Sequence, residues 1–133
     1  MTQSGVAKLQ VFQRAYQRSL QVHRASLAFP QIEQFALADQ VRRASKSICV
    51  NIAEGYAKRT YSQTEFKRFL LMALGSSDEM QIWSQYCTDL GYIDAAIGMQ
   101  WREEYEAISA MLHRLIQKVA EGVAESGKRI ADS

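Results

Sequence analysis

Residues 6–28 read VAKLQVFQRAYQRSLQVHRASLA. Leu9, Phe12, Tyr16, Leu20, His23 and Leu27 recur there at steps of three and four, which stacks them on one face of an α-helix. A strand is excluded, because its side chains change face at every residue. Arg14 and Arg18 fall on the opposite face. Pro30 supplies the stop, since it lacks a backbone N–H and biases Phe29 away from helical dihedrals. A first helix is expected over about 6–28, with one narrow apolar seam.

The rhythm repeats three more times. A second helix over about 36–57 lines up Leu37, Val41, Ala44, Ile48 and Ile52. Ser62 followed by Glu65 forms a capping box, in which the hydroxyl accepts from the Glu65 amide and the carboxylate reaches back. That pair predicts a third helix over about 63–90, through Phe66, Phe69, Leu70, Ala73, Ser77, Met80 and Cys87, with Gly91 as its stop. A fourth, capped by Asp94, carries Ile97, Trp101, Tyr105, Ile108, Leu112, Leu115, Val119 and Val123 over about 95–124. Residues 126–133 are expected to fray. Short connections make sequence neighbours antiparallel, so the fold class is all-α: an up-down-up-down four-helix bundle in one domain, residues 1–125.

Composition agrees. The 133 residues are 47% apolar and 23% charged, with one proline, seven glycines and room for a single core. Cys49 and Cys87 stand far apart with no CxxC spacing, and no uncharged apolar run approaches the roughly 18 residues of a membrane span. A soluble, cytoplasmic protein is expected. Residues 1–68 hold eleven Lys/Arg against four Asp/Glu, and residues 69–133 hold five against ten. Oppositely charged helices packing together would explain that split, and a polyanion-binding face is the sharper alternative.

Helices two and three have a second apolar side. Cys49, Val50 and Ala53 project away from the core face of one, and Leu71, Ile82 and Tyr86 from that of the other. A lone bundle buries one side per helix, so these residues are expected at an interface with another copy of the chain. Gln40, Arg43, Ser47, Asn51 and Glu54 form a polar line beside the core stripe of helix two. They are expected to pair with Glu65, Arg68 or Glu79 of helix three and fix helix register; a ligand or catalytic site at Asn51, Glu54 and Arg68 is the alternative.

The series Phe29-Pro30, Glu33, Phe35, Leu37, Gln40, Arg42-Arg43, then SICVNIAEG from Ser47 to Gly55, then Phe66, Phe69-Leu70, Ala73, Gly75-Ser76 and Glu79 carries a resemblance. It is similar to the four-helix-bundle proteins encoded in intervening sequences of bacterial 23S ribosomal RNA genes. The likeness covers about residues 6–122, with Cys49 where a proline often stands. It implies a cytosolic homopentamer without known catalysis, and distant kinship to the accessory variability protein of diversity-generating retroelements.

Chemistry is sparse. His23 and His113 belong to no metal-ligand spacing, Gly75-Ser76-Ser77 lies within a helical pattern, and no cofactor is expected. Arg18 and His23 match the loose R-x4-H pattern of small helical ribonucleases of the HEPN group, in which an imidazole moves protons and a guanidinium stabilises phosphate charge. On an ideal helix, however, the two lie about 140° apart. Candidate nucleic-acid contacts are Arg14, Arg18, Arg42, Lys46, Lys58 and Arg59. The expected function is a non-enzymatic homo-oligomeric scaffold or binding module for RNA or a ribonucleoprotein, with a ribonuclease or a protein-partner adaptor as alternatives.

Overall fold

The computed structural model describes the backbone of residues 5–132 and side chains through residue 124. Among these residues there are four long helices and no strand. After a 3-10 turn at Gly5–Lys8 come α1 (Gln10–Ser26), α2 (Leu37–Lys58), α3 (Gln63–Asp89) and α4 (Ala95–Asp132), with a second 3-10 turn at Gln31–Glu33. α3 packs extensively on both α2 and α4, and α1 lies mainly against α2. α4 runs beyond the end expected near residue 124. The side chains of the tail from 126 lie outside the described residues.

The helix ends follow local chemistry. Ser62 Oγ accepts from the Glu65 N–H at 3.1 Å, as the capping box requires. The return arm is absent, because the Glu65 carboxylate instead accepts from Arg68 at 2.9 and 3.0 Å. Gly91, at φ +77°, ends α3: its N–H donates to the Thr88 carbonyl and the Tyr92 N–H to the Cys87 carbonyl, the paired bonds of a Schellman motif.

Ile48, Ile52, Leu70, Met80, Tyr105, Ile108 and Leu112 are fully buried at the centre. The seam of α1 departs from expectation. Val11, Ala15, Ser19, Val22 and Ser26 face the core, while Tyr16 and Leu27 are exposed and Leu9, Phe12, Leu20 and His23 are only partly covered. Small side chains let α1 approach its neighbours closely, and the bulkier apolar row sits about a quarter-turn away at the margin. Cys49 is likewise corrected: at 8% exposure it belongs to the core of the single bundle, not to an outward face. Ala53 is half-buried, and Val50 points to solvent.

Candidate functional site

The corner between α1 and α2 absorbs much of the distinctive sequence. Phe29 is buried against Tyr92, ring centroids 5.2 Å apart, and the Tyr92 hydroxyl donates to Glu33 Oε2 at 2.7 Å. Arg42 donates to Ser26 Oγ (2.9 Å), Gln34 Oε1 (3.2 Å) and the Gln34 carbonyl (2.7 Å). Its guanidinium is a clamp across the corner, not part of an outer basic face.

The other basic candidates divide between engaged and open groups. Arg14 holds Glu104 of α4 in a two-pronged ion pair, Nε to Oε1 at 2.8 Å and Nη2 to Oε2 at 2.9 Å, and Arg18 Nη2 lies 3.8 Å from the same carboxylate. These are the cross-helix ion pairs among the described residues, joining the basic first half of the chain to its acidic second half. Hydrogen bonding from Arg14, opposed by burial and aided by the charges of Arg14 and Arg18, holds Glu104 below the usual carboxylate range. Lys46 Nζ approaches His23 Nδ1 at 3.0 Å. Partial burial, and then the charges of Lys46, Arg42 and Arg24, press the His23 imidazole below its usual value. Arg59, partly exposed, stacks on Tyr56 and donates to its carbonyl at 2.7 Å, and the exposed Lys58 at the end of α2 lies over Phe69.

Arg18 and His23 do not converge: Arg18 turns to Glu104 and Gln21, and His23 to Lys46 of α2. The clefts lined by Arg18 do not include His23. Among the described residues no group of three His, Cys, Asp or Glu could hold a metal ion. Burial raises the thiol pKa of Cys49 to about 11 and that of Cys87 to about 12, so neither is a thiolate at neutral pH.

The polar line on α2 pairs differently from expectation. Arg43 bonds Asp39 at 2.9 Å within α2, Arg68 bonds Glu65 within α3, and the Asn51 amide donates to the Ser47 carbonyl and hydroxyl. Among the described residues, the hydrogen bond from Ser76 Oγ to Ser47 Oγ, 3.0 Å, is the one that crosses between the helices in this line. Around it Gln40, Arg43, Ser47, Ser76 and Glu79 frame a shallow outward depression of about 200 Å³. Short side chains bond their own helix, leaving the longer ones turned to solvent. Glu79 accepts from Trp83 Nε1 at 2.7 Å.

Beside that depression α3 shows its second face. Leu71 (48% exposed), Met72, Ile82 (59%), Tyr86 (53%) and Leu90 stand along one side of the helix, opposite Phe66, Leu70, Ala73 and Met80 in the core. Gly75 lies among them with open space where a Cβ would stand. At the α1–α2 corner Ile32 and Phe35 are 85% and 91% exposed. Sequence periodicity could not find these two, because they sit in a connection rather than on a helical face.

Gly55 sits where α2 meets α3, and with the Phe29, Glu33 and Arg42 corner it accounts physically for the most distinctive residues of the chain. The family model of the 23S rRNA-intervening sequence proteins matches residues 7–114. The chain belongs to that family. All four helices fall within the match or begin in it. No curated protein matches the chain. No helix among the described residues is long and apolar enough to cross a membrane.

Proposed function

We propose that this 23S rRNA-intervening sequence protein is a non-catalytic bundle that assembles with copies of itself and serves as a scaffold or binding module for RNA or a ribonucleoprotein in the cytoplasm. The observation that carries the reading is the outward row Leu71, Met72, Ile82 and Tyr86 on α3. Four large apolar groups recurring along one exposed helix face are more than the isolated exposed apolar residues that are ordinary on a surface, and point to an association surface. Val50 of α2 and Gly75 support it, the latter by letting a second copy approach the helix closely. The resemblance suggests five copies. Symmetry would repeat each open cation around the assembly and build a strong, salt-sensitive field from a modest patch.

Light scattering at low and high salt, with and without mixed cellular RNA, tests this reading. The expected result is a stable multimer that takes up RNA at low salt and releases it at high salt. A 15.1 kDa monomer indifferent to RNA contradicts it. A monomer that co-purifies with one stoichiometric protein would instead make the α3 face an adaptor surface.

A further inference from the structure

Where the start of α1 meets residues 111–118 of α4, a cleft of about 380 Å³ opens, lined by Leu9 and Val11 from one side and Met111 and Leu115 from the other. That volume is within the range of small-ligand pockets. Its rim carries Lys8, Arg114 and Lys118 and, among the described residues, no carboxylate. None of the three is in an ion pair or side-chain hydrogen bond among the described residues, in contrast to Arg14, whose charge is met by Glu104. Arg114 and Lys118 stand one helical turn apart, about 6 Å along the axis, a separation comparable to that of successive phosphates on an extended strand. The first turn of α1 lacks a side-chain cap, so its partial positive charge adds to theirs.

We infer that this cleft is a binding site for single-stranded nucleic acid, with phosphates on Lys8, Arg114 and Lys118 and one base against Leu9, Val11, Met111 and Leu115. The inference deepens the nucleic-acid part of the proposed function and rests on it. Three cations exceed what a single carboxylate head needs, and the cleft is an open groove rather than a tunnel for an acyl chain. Phosphates supply affinity and a salt dependence, and the apolar floor excludes water from one face of a base.

The test is fluorescence anisotropy of the full chain with a labelled octaribonucleotide between 50 and 200 mM salt, comparing wild type, Arg114→Gln/Lys118→Gln and Arg24→Gln, an exposed cation at the far end of α1 from the cleft. Light scattering and circular dichroism establish that each variant keeps its assembly and helicity. Three phosphate contacts predict a slope of log affinity against log salt of about −2. The double variant should bind at least tenfold more weakly at 50 mM, with a slope nearer −0.7, while Arg24→Gln changes little. RNA binding that persists unchanged in the double variant overturns the cleft but leaves the general reading standing. No RNA binding by an intact multimer overturns both. Inorganic polyphosphate binding as tightly as the oligonucleotide overturns the base-binding role, and displacement of the oligonucleotide by dodecanoate would reassign the cleft to an amphipathic lipid.

Discussion

Gly55 of α2 faces Phe69 of α3 so closely that a Cβ at position 55 would stand 2.9 Å from the Phe69 Cβ and 3.2 Å from the Phe66 carbonyl oxygen. The nearest neighbours include a backbone carbonyl and a Cβ bonded directly to the backbone, neither of which can swing aside. Gly55→Ala gains about 1 kcal/mol of helix propensity, but forcing the two helices apart costs about 1–3 kcal/mol. The expected outcome is a net loss, read as a lower urea midpoint. Gly122→Ala in α4, where a Cβ meets nothing within 4 Å and which lies off the proposed α3 interface, provides the comparison and should not lower it.

The Arg14–Glu104 pair gives a pH signature. Because the folded-state pKa of Glu104 lies below its unfolded value, the pair stabilises fully above the ordinary carboxylate pKa of about 4.3, and the contribution fades as pH falls through the folded value. Glu104→Gln should cost about 1 kcal/mol near neutrality. Melting temperatures of variant and wild type should converge as pH falls below the lowered folded-state value, which differential scanning calorimetry can follow.

Tyr105 is buried, and its hydroxyl has no hydrogen-bond partner among the described residues. Removing an unsatisfied buried group relieves a desolvation cost, so Tyr105→Phe should leave stability unchanged or raise it by about 1 kcal/mol. A denaturant titration decides this; a loss of similar size would show that the hydroxyl is satisfied in solution.

His23 should titrate below the usual histidine value of about 6.5, with neutral Nδ1 accepting from Lys46. A lowered folded pKa means this site favours folding above the unfolded value and loses that contribution as pH falls. Proton NMR of the imidazole through pH 4–8 should show the shift, and Lys46→Met should return part of it.

Periodicity made the four helices and their order legible, because each carries apolar residues at three- and four-residue steps that only a helix brings together. It misjudged α1, where residue size pointed to Phe12, Tyr16 and Leu20 and the bundle chose the smaller Ala15, Ser19 and Val22 for close packing. The same limitation placed Cys49 outward, although the core face of α2 is wide enough to include it. The charge split correctly implied attraction between the halves. It could not show that Arg14, Arg18 and Arg42 have intramolecular partners, since Glu104 and Gln34 reach them only through tertiary packing. Lys8, Arg114 and Lys118 escaped notice for the converse reason. They lie at opposite ends of the sequence and meet only when α1 and α4 are antiparallel.

The central claim, that the outward face of α3 is where copies of the chain meet, is tested most directly by sedimentation velocity on wild type and Ile82→Lys. Ile82 touches solvent in the single bundle, so a lysine there has no core to disturb. The account predicts a multimer for wild type and a folded species near 15.1 kDa for the variant. A wild-type monomer, or a variant that assembles as well as wild type, would contradict it.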